Sequence, residues 1–406
     1  PTLEELPIKT KNNIVYQQFR VSPNGKHAAF VTNQMGQYKV WIQDLETHSK
    51  KRLCKGEQKL NRINDYSYPV LGWHPTGQGL AYVVEKKGEV LFCLYSLEDG
   101  STTRKTLGKV DKVLSFDYSD DGKTLVFSAV SNGQTDLYIY RPTANALDQI
   151  TDDIYDDLHP KFVHGGTGII FSSNRTSDTL RKDIKVKPYD AQKDIFVYNL
   201  RDKARVLKRI TNTPNADESY PSQLDTLNYT FLSDENGVVN RFAAIYDSVI
   251  SYIDTVVHYR YFTSTAPLSN FNNNILEYDI VEKKGNYSIL MLNEGRYRFY
   301  TGRVKNDVRY NGSLPNTRYR IQQKLAQLRA VKTNNPDSIK REQVKVQISD
   351  QREKLDSGLI DINNYIFSDE SPSFEKETIK IAETKTDTKK DSAKVKKKVE
   401  DEFKPA

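Results

Sequence analysis

One short phrase recurs four times along the chain: an apolar or aromatic residue, three more residues, a glycine, and an aromatic five residues later. It reads Val21-Ser22-Pro23-Asn24-Gly25 with Phe30, and Trp73-His74-Pro75-Thr76-Gly77 with Tyr82. It returns as Tyr118-Ser119-Asp120-Asp121-Gly122 with Phe127, and as Phe162-Val163-His164-Gly165-Gly166 with Phe171. The glycines stand 52, 45 and 44 residues apart. That period belongs to propellers built from four-stranded blades. The phrase has its own mechanism: Pro or Asp early and Gly late make a tight turn whose last residue accepts positive φ.

Strand-like runs follow each copy: Lys39–Leu45, Phe92–Leu97, Asp136–Tyr140 and Asp194–Leu200, all rich in β-branched and aromatic residues. Turn clusters such as Asn33–Gly36, Glu85–Gly88 and Ser131–Gln134 separate them. A fifth, degenerate unit has Tyr220-Pro221 in place of His159-Pro160, then Tyr229–Phe231, an Asp234–Gly237 turn, Phe242–Tyr246 and Val256–Phe262. Asn274–Ile280 reads as the closing strand of a sixth, with Tyr287–Met291 and Arg296–Tyr300 as further strand material. The expected fold is therefore all-β: a propeller of about five to six four-stranded blades, or more if some lie upstream. Residues 1–18 are a lead-in or sealing strand, and 19–305 form the propeller.

From about Asn311 the character changes. Arg318–Ala330 carries Ile321, Leu325 and Leu328 at helical spacing, and Ser338–Leu355 reads as a second, polar helix. Residues 306–370 are expected to be a partly helical extension. Residues 371–406 hold 10 Lys and 8 acidic residues with two aromatics, a composition that suits a charged linker or tail.

The net charge of +7 comes from 60 basic and 53 acidic side chains interspersed along the chain, with no Arg-rich stripe among aromatics, so nucleic acid is not an expected partner. Cys54 and Cys93 make no disulfide framework and no CxxC metal pair; one bridge between them stays open. The chain contains no Gly-x-Ser-x-Gly elbow, no HExxH and no GxxxxGK[ST], and its six histidines lack ligand spacing. Neither a catalytic set, a metal site nor a cofactor is expected.

The most suggestive local feature is acidic. Asp152, Asp153, Asp156 and Asp157 precede His159-Pro160; Asp217 and Glu218 precede Tyr220-Pro221; Asp65 precedes Tyr68-Pro69. Equivalent loops gather at one end of a propeller, so Asp65, Asp153, Asp156, Asp157, Asp217 and Glu218 are the candidate contact residues, an acidic rim for a basic or amide-rich partner. A hard cation is a weaker alternative, and plain turn aspartates bonding backbone amides would give the same pattern.

The run from Ile150-Thr151 through Asp157-Leu158-His159-Pro160-Lys161-Phe162 and Ile169–Arg175 to Asp194-Ile195-Phe196-Val197-Tyr198 resembles the repeats of TolB-like propellers, as does Ser119–Phe127. The likeness covers about residues 19–280. It departs at Val163-His164-Gly165, at an insertion over Asp178–Gln192, and in the fifth unit, which has lost the Gly turn. With Ile360–Phe367 in a charged linker, the chain also resembles the periplasmic part of Bacteroidota outer-membrane proteins. The resemblance implies a non-catalytic scaffold that binds envelope proteins, outer-membrane β-barrel or lipoprotein components among them. It also implies placement in the periplasm at the outer membrane, with a tether to a barrel beyond the C-terminus. TolB-like repeats also occur in peptidase propellers, so the alternative is a substrate-gating domain of a hydrolase whose catalytic part lies outside this chain. Sugar binding on Tyr-rich walls is a third, weaker reading.

Overall fold

In the computed structural model the recurring glycines end tight turns: Gly25, Gly77, Gly122 and Gly166 take φ of 75°, 74°, 69° and 86°. The structure describes residues 3–57, 65–183, 192–253, 255–281, 285–304 and 313–333. The expected second helix over Ser338–Leu355, the Ile360–Phe367 run and the tail lie outside the described residues.

Each turn joins the first two strands of a four-stranded antiparallel sheet. Strands β2 (Val15–Val21), β3 (His27–Gln34), β4 (Gln37–Asp44) and β5 (Lys50–Lys55) make the first blade. The second holds β6 (Val70–Trp73), β7 (Gly79–Lys86), β8 (Glu89–Ser96) and β9 (Thr102–Thr106). The third holds β10 (Lys112–Tyr118), β11 (Leu125–Ser131), β12 (Gln134–Arg141) and β13 (Ala146–Gln149). The fourth holds β14 (Asp157–Val163), β15 (Gly168–Ser173), β16 (Asp194–Asn199) and β17 (Lys208–Arg209). The fifth holds β18 (Glu218–Gln223), β19 (Asn228–Ser233), β20 (Asn240–Ile253) and β21 (Val257–Pro267).

The sixth blade corrects one expectation. Ile275–Val281 is its first strand, β22, rather than its closing one; β23 (Asn286–Asn293) and β24 (Arg296–Arg303) follow. The fourth place is filled by β1 (Glu4–Glu5), with Glu4 opposite Thr301 and Glu5 opposite Tyr300. The Leu6 amide continues the pairing onto the Phe299 carbonyl at 2.8 Å. The start of the chain thus covers the edge that β24 would otherwise expose, and the chain is a six-bladed β-propeller.

The aromatics five residues after each glycine sit at the seams. Phe30, Phe127 and Phe171 are fully buried and Tyr82 nearly so. Six apolar clusters fill the six blade-to-blade junctions; Phe30 meets Phe299, Val40 meets Tyr82, and Phe92 meets Phe127. Ile169 with Val126, Ile195 with Phe231 and Leu232 with Ile289 occupy the rest. A blade is apolar on both faces and buries each only against a neighbour, which is why the ring closes.

Two elements depart from the pattern. β20 and β21 outrun the ring and leave Val249, Ile250 and Tyr261 at least half exposed. Helix α1 (Arg318–Thr333) forms where helical spacing predicts it, yet Leu325 and Leu328 are exposed. Its anchor is polar: Arg320 is buried and donates to the Glu235 carbonyl at 2.9 Å and the Asp234 carbonyl at 2.6 Å. Cys54 and Cys93 are free thiols, and Cys93 is buried in a seam.

Candidate functional site

The six candidate rim residues all stand at or just before the starts of inner strands, but they do not form one acidic surface. Asp153 and Asp157 are buried around Arg175, whose Nη1 reaches Asp153 Oδ2 at 3.1 Å. Arg175 Nη2 donates to both Asp157 oxygens at 2.7 and 2.9 Å, and its Nε bonds Ser173 Oγ at 3.0 Å. Asp136 completes a trio of carboxylates within 4.8 Å of one another. Arg175 serves two of the three, Asp153 and Asp157, and removing one partner of such a buried pair is strongly destabilising. Burial, the Asp157 charge and the Asp153 charge push Asp136 up to about 7.

Glu218 is buried too and accepts the Thr211 hydroxyl; burial pushes its carboxyl up to about 8. Asp156 exchanges bonds with Asn174, its amide donating at 2.8 Å. Asp65 and Asp217 are exposed and each carries a lysine, Lys112 at 2.7 Å and Lys193 at 3.0 Å. Asp152, likewise exposed, pairs with Lys182. His74 and His164, which share the turn positions, pack structurally. The His74 ring fills the space a Cβ on Gly122 would need, and His164 meets the Tyr229 hydroxyl at 3.2 Å.

The side chains that do converge lie deeper, on the axis. The first strands of neighbouring blades lie against one another around the ring. They line a cavity of about 220 Å³ with residues from all six blades. Arg20 (β2) stands 3.7 Å from Glu277 and 3.8 Å from Asp279 (β22). Lys161 (β14) donates to Asp279 at 2.8 Å. Glu277 also accepts the Gln18 and Phe19 amides at 2.7 and 2.8 Å. Asp117 (β10) accepts the Phe162 amide at 3.2 Å.

Charges this close, in a largely buried place, reshape one another. Burial would raise Asp279, but Lys161 and Arg20 hold it below the usual carboxylate range. Glu277 is raised by burial in spite of Arg20. Asp117 is pushed up to about 6, by burial first, with Lys161 partly offsetting it and Asp279 adding to it. His159 is pushed down to about 3 by burial and the cations Arg20 and Lys193, so its ring is neutral at ordinary pH.

Local backbone explains the aim of these groups. β2, β14 and β18 each carry a bulge, and Gln18, His159 and Tyr220 there take φ of 55°, 51° and 50°. Two inner-strand residues then oppose one aromatic of the second strand, Phe30, Phe171 or Phe231. Pro160 and Pro221 lie in the skipped positions, where a missing N–H costs no ladder bond. The bulges turn His159 and Tyr220 face to face, rings stacked at 4.0 Å. Sequence reasoning expected a central funnel but missed the charged residues that line it; the paired X-Pro steps were their one visible trace.

No protein-family model and no curated protein matches the chain. Solved structures do. TolB from Acinetobacter baumannii is 16% identical over 73% of this chain and 65% of its own, with a TM-score of 0.40. A putative TolB from Agrobacterium tumefaciens is 18% identical over 56% and 76%, TM-score 0.42. The β-propeller domain of the Trilobed protease from Pyrococcus furiosus is 11% identical over 73% and 97%, TM-score 0.44. The matched region spans under two thirds of the Acinetobacter chain. These likenesses concern fold alone.

Proposed function

We propose that this propeller is a non-catalytic binding module of a bacterial envelope, in the periplasm at the outer membrane, which holds a segment of a partner protein at the mouth of its central channel. The observation that supports this most is the cavity itself. Six rigid blades converge on a pocket with aromatic walls and a charged floor, while the outer acidic positions are individually matched by lysines. A pre-formed concave site on a stiff scaffold suits contact with little rearrangement.

The test is photo-cross-linking of the full chain in envelope extract. A photo-reactive residue in place of Pro75, at the pocket wall, is expected to capture a reproducible partner; one in place of Thr103, on outer strand β9, is expected to capture none. Capture from neither position, or equally from both, overturns the reading. Recovery of a peptidase from Pro75 moves it to the substrate-gating alternative.

A further inference from the structure

The channel's charges do not balance. The lining carries three carboxylates, Asp117, Asp120 and Asp279, and two cations, Arg20 and Lys161; Glu277 adds a fourth carboxylate beside Arg20. Both cations are committed to the β22 pair: Arg20 lies within ion-pair distance of Glu277 and Asp279, and Lys161 bonds Asp279. Among the described residues Asp117 makes no ion pair at contact distance: it accepts backbone amides, Phe162 among them, while the Lys161 and Arg20 charges act on it from farther off. It lines the cavity beside Trp73, Phe116, Tyr118 and Phe162, whose rings make an apolar wall. Two further polar atoms on lining residues, Ser115 Oγ and His159 Nδ1, are buried without a hydrogen-bond partner.

A half-buried carboxylate, two unmet polar atoms and aromatic faces ask for one kind of guest. An anion would meet surplus negative charge. A neutral apolar ligand would seal Asp117 away from water without a partner, which is costly. A cation on an apolar stem meets every demand: aromatic faces attract it, the stem covers apolar wall, and an ammonium has three donors to give. Neutral His159 offers Nδ1 as an acceptor when its proton sits on Nε2. We propose that the pocket around Asp117 is a receptor for an alkylammonium group, the lysine side chain of an inserted peptide or a free amine of the same chemistry.

This deepens the channel-binding reading and rests on it for the location of the site. The pH response is set by the groups around Asp117: Lys161 and His159 from β14, Arg20 from β2, Asp279 from β22, Tyr220 from β18, and Asp120 in the turn after β10, with Glu277 paired to Arg20 and Lys193 acting on His159. Asp117 changes charge near pH 6, and Glu277 is also raised by burial. His159 is neutral well below that.

The experiment is calorimetric titration of the full chain with acetyl-Ala-Lys-Ala-amide, the same peptide carrying Nε-acetyl-lysine, and butylamine. The lysine peptide is expected to bind at pH 7.5 and to quench Trp73. Lysine acetylation is expected to weaken binding by at least about tenfold, as is Asp117→Asn. Binding is also expected to weaken as pH falls from 7.5 to 5. Butylamine matching the lysine peptide assigns the site to free amines, and a clear peptide preference assigns it to protein segments. Equal binding of the acetylated peptide, or affinity unmoved by pH, overturns the proposal on the wild-type protein alone, whether or not Asp117→Asn folds. Capture of an envelope partner at Pro75 without any lysine binding overturns this inference and leaves the proposed function standing; lysine binding without a partner does the reverse.

Discussion

The seams between blades and the inner strands along the axis are built on opposite terms. At the seams, Phe30, Phe127 and Phe171 lose all contact with water and pack into apolar clusters. Along the inner strands, carboxylates, Arg20, Lys161, His159 and Tyr220 are packed into one polar lining. The seams stabilise through area removed from water, a term proportional to surface and indifferent to pH. The inner strands hold groups whose burial is unfavourable unless matched, so their contribution changes with protonation. Stability resides at the seams, and sensitivity to protonation resides at the axis.

The largest expected effect is at a seam. Phe127→Ala removes a fully buried ring packed against Phe92 and Tyr140. It should cost about 3–5 kcal/mol by denaturant unfolding. A loss below about 1 kcal/mol would mean that the seams are not what holds the ring.

A smaller effect of opposite sign is expected at an inner-strand start. Glu218 is raised from an ordinary 4.5 to about 8 on folding. The folded protein therefore grips that proton more tightly than the unfolded chain. Its contribution is complete below about pH 4.5 and is lost as pH rises through about 8. Glu218→Gln stays neutral throughout. Its melting temperature should match the wild type near pH 4.5, exceed it increasingly toward pH 8, and hold a constant gain above that. Curves parallel at every pH would refute the assignment of a buried, proton-holding carboxyl.

The smallest effect belongs to the exposed counterpart. Asp65 pairs with Lys112 at the surface. Asp65→Asn should change stability by less than about 1 kcal/mol, the usual range for exposed pairs. It should also lose most of even that in 1 M salt. A larger loss would place Asp65 with Glu218 rather than opposite it.

How much of this was legible in the sequence differs between the same two regions. The seam aromatics were readable because each follows its glycine at a fixed distance, and a strand's two-residue period puts them on a buried face. The axis was not. Glu277 meets the Gln18 amide across 259 positions of sequence, and Lys161 meets Asp279 across 118. No local pattern encodes such pairings. The acidic residues that looked alike in sequence, Asp65, Asp153 and Glu218, were sorted by burial into a surface pair, an arginine clamp and a protonated group. Likewise the apolar stripe of α1 was visible, while its real anchor, Arg320, was hidden among polar residues.

The chain's own order of residues determined that it makes four-stranded blades, roughly how many, and which aromatics they bury, because turn chemistry and alternation act over a few residues. Tertiary structure decided that, of the lead-in and sealing roles open to residues 1–18, Glu4–Glu5 completes the last blade, which carboxylates pair with a cation, and that Asp117 makes no ion-pair contact with either cation at the axis. Those outcomes depend on which groups the fold brings together, where the balance of burial and charge is set by geometry.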